Sequence, residues 1–148
     1  MGSRNMHHVA IMNKSWNLIP KILSGEKSIE SRWYQTKRTP WNKAKSGDIV
    51  FFKNAGEPII ATAVVGEIKQ FEIHGINDVL QIVEKYGQKI CLVNPDPKSW
   101  KKLARYCILL SLQIPTKIDT PFQINKKGFG TGAAWITIQD VGSIKVPA

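Results

Sequence analysis

The sequence predicts a mixed α/β domain, in which a small, curved, mostly antiparallel β-barrel is flanked by two or three short helices. Most of the predicted strands are neighbours along the chain and are joined by short turns, which favours antiparallel pairing. Helical spacing of apolar residues appears at only two or three places between them. A chain of 148 residues also removes exposed strand edges most economically by closing its sheet into a barrel.

The first part of the chain has the pattern of a strand, a helix and a second strand. A short strand is expected at 7–13, and Ser15 is expected to cap the helix that follows. Gly25 is expected to end this helix in a left-handed conformation. Pro20 fits the helix only near its first turn, so the helix should be short or bent. Alternation of side chains predicts a strand at 27–35.

The middle of the chain has the pattern of a hairpin followed by a helix. Strands are predicted at 48–54 and 59–71, with a tight turn between them. Gly66 is expected to mark a bulge that bends the second of these strands. A single apolar stripe predicts a helix over 76–87, and Gly87 is expected to end it.

The last third of the chain completes the predicted barrel. Its expected elements are a second short helix (94–106), a buried strand (107–114), a loop (115–132) and a closing strand (133–140). We therefore expect one domain over 7–140, with tails at 1–6 and 141–148.

Composition favours a globular, cytoplasmic protein. Apolar residues make up 43% of the chain, which is ordinary for a folded domain. Cys91 and Cys107 lie among apolar neighbours and are interpreted as reduced core thiols. No window approaches the apolar length of a membrane span. His7, His8 and His74 are scattered without ligand spacing, so neither a metal nor another cofactor is expected.

The chain is strongly basic, with a formal net charge of +10 and a pI of about 9.8. Residues 1–53 contain ten Lys and Arg but only three Asp and Glu, so the positive charge is concentrated there. This balance suits a polyanionic partner, and it favours nucleic acid over membrane because no amphipathic anchor is evident. The predicted loop at 36–47 would supply phosphate contacts, with the plainer alternative that it is a solvated basic loop. The candidates are Lys37, Arg38, Lys43 and Lys45.

The segment SGEKSIESRW (24–33) carries a charged cluster of mixed sign. We expect Lys27 to lie in the turn after the helix with a mobile ammonium group. On the strand that follows, alternation places four side chains on one face: Ser28, Glu30, Arg32 and Tyr34. An arginine here can fork onto a phosphate or a base edge, and a carboxylate can accept from a base amino group. Lys27 and these four residues form the predicted binding cleft; the alternative is a surface ion pair of about 0–1 kcal/mol.

Aromatic residues near this cluster suggest that bases could stack against the protein. Trp41, in the basic loop, is the best exposed candidate, and Trp16 is the second. Trp33 and Trp135 lie in apolar contexts that are more typical of a core. The glycine-rich segment 125–132 lacks the Gly-Lys-Ser/Thr ending of a phosphate loop and precedes no helix, which excludes a nucleotide hydrolase site. Its amides, with Lys126 and Lys127, are a candidate phosphate contact.

The same charged cluster resembles a known family signature. ILSGEKSIESR (22–32) is similar to the Gly-x-Lys-x-x-Glu-x-Arg pattern of the ASCH family, with Gly25, Lys27, Glu30 and Arg32 at the fixed positions. KSGDIVFF (45–52), IIATAVVGEI and AAWITI resemble later blocks of the family in the same order, so the likeness spans most of 7–140. It implies a PUA-like β-barrel with a cleft lined by the Lys/Glu/Arg motif, and a link to RNA or modified nucleosides.

The resemblance also raises the possibility of catalysis. One bacterial branch of the family hydrolyses N4-acetylcytidine with a lysine, a threonine nucleophile and a later glutamate, and some members cut RNA. Lys27 matches the lysine, but Glu30 occupies the threonine position and the later glutamate has only Glu84 as a guess. Ser28 cannot replace the threonine, because a two-residue shift along a strand moves its hydroxyl by about 7 Å. If the protein is an enzyme, Lys27 with a lowered pKa and Glu30 as base are the catalytic candidates.

We therefore expect a module that binds RNA or a modified nucleoside through the Lys/Glu/Arg cleft and the basic loop. A small hydrolase acting on a modified nucleoside or on RNA is the first alternative. A protein-interaction module is the second, and a lack of salt-dependent RNA binding would favour it.

Overall fold

Six strands form one curled half-barrel sheet in the computed structural model, which describes residues 5–92, 104–130 and 132–147. The strands are β1 (His7–Met12), β2 (Ile29–Tyr34), β3 (Ile49–Asn54), β4 (Ile59–Glu72), β5 (Tyr106–Phe122) and β6 (Trp135–Ile138). Their order across the sheet is β2-β5-β4-β3-β1-β6. Only the pairing of β1 with β3 is parallel; the other four pairings are antiparallel. The predicted fold class is therefore confirmed.

Two α-helices accompany the sheet in the described part of the chain. These are α1 (Leu18–Ser24) and α2 (Ile76–Ile90), and short 3-10 turns occur at Lys14–Trp16 and Val141–Ile144. Across the described ranges, neither helix has the length and apolar character needed to cross a membrane.

The core divides between the two faces of the sheet because side chains alternate along each strand. On one face α1 packs its buried Leu18, Ile19 and Ile22 into a cluster that includes Ile108 and Leu110 of β5. On the other face, Cys107 and Leu109 of β5 meet a cluster to which α2 contributes Val79, Ile82 and Ile90. A third cluster joins Val9, Phe51, Ile59, Ile124 and Phe129. Cys107 is thus a core thiol as expected, whereas Cys91 is half-buried.

The two ends of the sheet leave a seam between β2 and β6. Neither strand has a second neighbour in the sheet, so no backbone ladder joins them. The side chain of Arg32 crosses from β2 to the backbone carbonyl of Ala134, just before β6, at 3.2 Å. The site described below lies at this seam.

Most predicted elements are present with small changes at their ends. Gly25 ends α1 at φ 86°, and Pro20 lies in its first turn, as expected. Ser15 is not the helix cap: Asn13 accepts the Ser15 amide and begins the 3-10 turn instead. The bulge predicted at Gly66 is confirmed, because the β4–β5 register shifts between Val65 and Ile68.

Two predicted ends were wrong, and long-range packing explains both. Helix α2 continues past Gly87 to Ile90, whose side chain is buried against the β2–β5 face. Strand β5 continues through 115–122, which was expected to be a loop, because the long β4 supplies a pairing partner as far as Phe122. Two prolines are tolerated in this half of β5 because it has a partner on one side only. The helix predicted at 94–106 falls mostly outside the described residues.

Candidate ligand-binding site

A cavity of about 530 Å³ opens at the seam between the two ends of the sheet. The end of β1, the 3-10 turn, β2 and the end of α2 surround it. Its walls are mostly apolar or aromatic: Ile11, Met12, Trp16, Leu18, Trp33, Tyr34, Ile90 and Leu92. Its polar members are Asn13, Lys27, Glu30, Ser31, Arg32 and Cys91. Consecutive residues of the edge strand β2, from Glu30 to Tyr34, line the cavity.

Lys27 is buried beneath this cavity, with only 2% of its surface exposed. Its Nζ donates to the backbone carbonyls of Ile29, at 2.9 Å, and Ile90, at 2.5 Å. It also lies 3.2 Å from Glu30 Oε1. An ammonium group has three N–H donors, so these three acceptors saturate it. The expected mobile ammonium was wrong: the end of α2 comes close enough to bind it.

Glu30 is a buried, ionised carboxylate that holds the cluster together. Its Oε1 accepts from Lys27 and from the Ser31 amide, and its Oε2 accepts from Arg32 Nη2 at 3.2 Å. Burial alone would raise the pKa of Glu30, but the charges of Lys27 and Arg32 outweigh it and hold that pKa below its ordinary value. A carboxylate in this state orients its donors and is a weak base.

Arg32 presents the charge that a ligand in the cavity can reach. Nη2 donates to Glu30 and lies 3.5 Å from Met12 Sδ, and Nη1 donates to Ala134 O. The guanidinium carbon lies 5.0 Å from the ring centre of Trp135, which supports it from one side. A guanidinium has five N–H donors, and the contacts with Glu30, Met12 and Ala134 use three of them. Tyr34 also forms a side-chain hydrogen bond with Arg32, which leaves at least one N–H donor for a ligand among the described residues.

A second buried polar group, formed by His8 and Asp48, contacts Trp135. The Trp135 Nε1–H donates to His8 Nδ1 at 3.1 Å, and His8 Nε2 lies 2.7 Å from Asp48 Oδ2. An indole N–H can only donate, so His8 Nδ1 is the acceptor. The imidazole proton is therefore on Nε2, which donates a hydrogen bond to Asp48. Burial lowers the pKa of His8, although the hydrogen bond and charge of Asp48 oppose this shift. His8 and Asp48 are both fully buried, which keeps the imidazole neutral in this arrangement.

Reasoning from the sequence missed this group, because His8 was interpreted only as one of three scattered histidines. A signal was present: an aspartate as the first residue of one predicted strand, and a histidine within another apolar strand. Two buried polar residues on adjacent strands need each other as partners. Their parallel register, with His8 opposite Val50, places the Asp48 carboxylate within reach of the imidazole.

Of the two remaining residues of the predicted cleft, Tyr34 lines the cavity and Ser28 does not. Tyr34 lines the cavity, and its hydroxyl donates to Thr39 O at 3.1 Å. Burial raises the pKa of the Tyr34 phenol. Ser28 does not line the cavity; its backbone bonds to Lys89 and to Leu112.

Two of the tryptophans, Trp33 and Trp41, lie elsewhere than expected. Trp16 is 47% exposed and lines the cavity, and Trp33 lines it as well. Trp41 is half-buried, meets Tyr106 edge-on at 5.1 Å and packs against the core, so its expected exposure was wrong. The Trp41 Nε1–H is enclosed without a hydrogen-bond partner in the described part of the chain.

The basic loop lies outside the cavity, with its four predicted phosphate contacts exposed. The Lys37 ammonium lies 5.7 Å from the ring centre of Tyr106, and the Arg38 guanidinium lies 5.8 Å from that of Tyr34. Because Tyr34 also lines the cavity, the part of the loop that carries Arg38 lies close to the cavity. Lys43 and Lys45 project from the same loop.

Solved structures with the same architecture include an ASCH protein from Zymomonas mobilis. That structure matches with a TM-score of 0.55 and 16% identity, over 79% of this chain and 71% of the other. A tyrosine-to-phenylalanine mutant of ZmASCH matches with a TM-score of 0.62 and 16% identity, over 93% of each chain. A serine-to-alanine mutant also gives 0.62 and 16%, over 93% of this chain and 91% of that one.

This chain has an ASCH-like fold. Neither a family model nor a curated protein matches the sequence, and at 16% identity the structural likeness shows the fold alone. Within the ASCH-like fold, Lys27, Glu30 and Arg32 of the sequence pattern line the cavity at the seam, whereas Gly25 ends α1 and is not part of the lining. In the described residues no group of three or more His, Cys, Asp or Glu side chains could hold a metal ion.

Proposed function

We propose that this protein binds RNA or a nucleoside-containing ligand, with a base in the cavity at the seam and Arg32 as its principal polar contact. The observation that carries the proposal is the state of Arg32. Its guanidinium is fixed by Glu30, Ala134 and the ring of Trp135, yet keeps at least one N–H donor beyond its contacts with the described residues. A fixed donor in an otherwise apolar cavity supplies orientation and specificity to a ligand.

The shape and lining of the cavity suit a planar aromatic ligand. Trp16 and Trp33 both line it, and Trp16 is exposed enough to be covered by a base. Stacking on such rings contributes about 1–3 kcal/mol per base in proteins that bind single strands. One acceptor position on Glu30 Oε2 also remains after its bond with Arg32, so a donor and an acceptor lie side by side.

The charge around the cavity suits the phosphates that accompany a base. Lys37, Arg38, Lys43 and Lys45 are exposed in the basic loop, in which Arg38 packs over the cavity-lining Tyr34. The chain as a whole carries a formal net charge of +10. Neutralising phosphates with such side chains releases counterions, so binding should weaken as salt increases.

The geometry gives less support to hydrolysis by Lys27 and Glu30. The Lys27 ammonium has all three donors occupied, and the pKa of Glu30 is lowered despite its burial, mainly because of Lys27 and Arg32. A general base works best with a pKa near the working pH, but the pKa of Glu30 is shifted below its ordinary value and so away from neutral pH. The pair therefore serves to hold Arg32 in place.

A fluorescence titration tests this proposal. Wild type and Trp16→Phe would be titrated with a short single-stranded RNA at several salt concentrations, with Trp41→Phe as the matched tryptophan control. We expect salt-dependent quenching that is largely lost in Trp16→Phe and retained in Trp41→Phe. If RNA does not bind at low salt, free nucleosides would be titrated in the same way. Absence of binding in both titrations contradicts the proposal.

A further inference from the structure

His8 on β1 is a fully buried histidine that reaches the cavity at the seam only through other side chains. It does not line the cavity itself. Its ring centre lies 5.6 Å from that of Trp135, and its Nδ1 accepts the indole N–H. Trp135 in turn lies against the guanidinium of Arg32, whose carbon is 5.0 Å from the ring centre. Three side chains in contact therefore connect the buried imidazole to the proposed ligand contact.

Directional hydrogen bonds fix the first part of this connection. His8 Nε2 lies 2.7 Å from Asp48 Oδ2, and the Asp48 carboxylate also accepts the backbone amides of Met6 and Lys45, each at 2.9 Å. The imidazole is thus attached to the start of β3 and cannot rotate without breaking a buried hydrogen bond. An indole has a single N–H donor, so its bond to His8 Nδ1 sets the orientation of the ring.

Arg32 is attached to β6 by the next two contacts. Its guanidinium lies over the Trp135 ring, and its Nη1 donates to the carbonyl of Ala134, the residue just before Trp135. A cation–π contact requires the cation to lie over the face of the ring, so a movement of the ring changes the position that the guanidinium prefers. Because no backbone ladder joins β2 to β6, these contacts hold Arg32 against β6.

His8 Nδ1 also has an alternative partner. Thr137 lies opposite His8 in the β1–β6 pairing, and its Oγ1 is 2.9 Å from Nδ1. A proton on Nδ1 would make this nitrogen a donor, which suits the Thr137 hydroxyl but leaves the Trp135 N–H without its acceptor. Asp48 and His7 are the titratable groups that act on His8, since its β6 neighbours do not titrate. Burial and His7 lower the pKa of His8, whereas Asp48 opposes this shift.

We infer that His8 is a positioning residue for ligand binding, whose neutral imidazole holds the Trp135 ring and, through that ring, the guanidinium of Arg32. This role rests on the proposed function, in which Arg32 is the principal polar contact. Protonation of His8 should therefore weaken ligand binding. A positive charge added to the protein would by itself strengthen RNA binding, so weaker binding in acid distinguishes positioning from charge.

Two variants that each keep one of the His8 hydrogen bonds test this role. In His8→Asn the amide oxygen lies near the position of Nδ1 and can accept from Trp135, but no donor reaches Asp48. In His8→Gln the amide nitrogen can reach Asp48, but the acceptor for Trp135 is lost. His8→Asn should be the less stable of the two, because it loses the bond to a buried carboxylate.

The affinities should follow the opposite order to the stabilities. Calorimetric titration with a short single-stranded RNA at neutral pH would measure them. We expect His8→Gln to bind about three- to tenfold more weakly than wild type, which is the order of one cation–π contact. His8→Asn should recover most of this loss, because it restores the acceptor for Trp135. A purely structural role would instead make the less stable His8→Asn the weaker binder.

The pH profile of binding provides a second readout. RNA affinity would be measured between about pH 5 and 7.5, over the range in which circular dichroism shows folded protein. Wild type and the exposed control His74→Gln should lose affinity as pH falls through the lowered pKa of His8. His8→Asn should not lose affinity over this range, because its side chain does not titrate.

Several results would overturn the inference. They are equal affinity of wild type and His8→Gln, weaker binding by His8→Asn than by His8→Gln, and a wild-type affinity that is constant or rises in acid. Should His8→Asn not fold, Trp135→Phe replaces it, because it keeps an aromatic ring but lacks the indole N–H. Binding by Trp135→Phe should be weaker and should no longer fall in acid, and wild-type behaviour in either respect also refutes the role of His8.

A measurement without ligand separates this inference from the proposed function. Nuclear magnetic resonance would follow the Trp135 Nε1–H and Arg32 Nε–H signals, assigned by their absence in Trp135→Phe and Arg32→Ala. Both signals should shift when His8 is protonated and also in His8→Gln at neutral pH. If neither RNA nor nucleosides bind wild type, the proposed function is wrong, and shifted Arg32 signals still support the connection. An Arg32 signal that responds to neither change refutes the connection whether or not RNA binds.

Discussion

Lys27 Nζ lies 3.2 Å from Glu30 Oε1 beneath the cavity, and both side chains are almost completely buried. The pair lies between the end of α2 and Arg32. Lys27 donates to the Ile90 carbonyl at the end of α2, and Glu30 accepts a hydrogen bond from Arg32 Nη2. It therefore connects helix packing to the position of the ligand-facing guanidinium. Removing one member of a buried pair costs more than the pair contributes, because the other charge is left uncompensated.

Replacing the buried Lys27 should lower the stability of the fold much more than replacing an exposed lysine does. Lys27→Met removes the partner of Glu30 and leaves the Ile29 and Ile90 carbonyls without their donor. We expect a loss of about 3 kcal/mol in the free energy of unfolding. Lys89→Met, on the exposed side of α2, is the control and should change it by less than about 0.5 kcal/mol. Urea unfolding measures both, and equal small effects would show that Lys27 is not part of a buried pair.

Glu30 should make the protein sensitive to acid. Its folded pKa lies below the ordinary value of 4.5, because the charges of Lys27 and Arg32 outweigh the effect of burial. The resulting stability is present above about 4.5 and is lost as pH falls through the lower folded value. Glu30→Gln should therefore be less stable at neutral pH but lose less stability on acidification. An acid profile parallel to that of wild type, with exposed Glu26→Gln as control, would contradict this role.

His8 should produce a separate loss of stability in mildly acidic solution. Burial lowers its folded pKa from 6.5, with His7 acting in the same direction and Asp48 opposing. Below about 6.5 the unfolded chain takes up a proton that the folded protein does not, so stability falls with pH until the folded pKa is reached. The slope approaches at most about 1.4 kcal/mol per pH unit. His8→Gln should flatten this part of the stability profile, whereas exposed His74→Gln should retain it.

The basic loop should contribute affinity without selectivity. Lys43→Ala removes an exposed charge of the basic loop, and we expect RNA binding to weaken modestly for every sequence tested. The slope of log affinity against log salt should fall in magnitude by about 0.7–1. Lys117→Ala, on the exposed half of β5, is the control. An unchanged salt slope in Lys43→Ala would remove this residue from the RNA-binding surface.

The local sequence pattern was sufficient to predict most helices and strands, and also the common location of three residues that line the cavity. Glu30, Arg32 and Tyr34 are near neighbours on one strand, so their common location needed only the alternation of side chains. The bonding of Lys27 to Ile90 and the contact of His8 with Asp48 join distant parts of the chain. Local periodicity contains no information about such contacts.

The same limit explains the errors at Trp41 and in β5. The loop composition around Trp41 indicates exposure, but Tyr106 provides a ring for it to pack against. Residues 115–122 have the composition of a loop, but the length of β4 decides their conformation by offering backbone partners. In both cases a distant element overrides the local preference.

The affinity of Arg32→Ala for a short single-stranded RNA tests the central claim most directly. Far-UV circular dichroism and urea unfolding would first show that the variant is folded, and Arg38→Ala would serve as the matched arginine control. The account predicts that Arg32→Ala weakens binding by about 1–3 kcal/mol, because it loses a charge-assisted contact. Arg38→Ala should lose much less. A folded Arg32→Ala variant with wild-type affinity would show that the cavity at the seam is not where RNA binds.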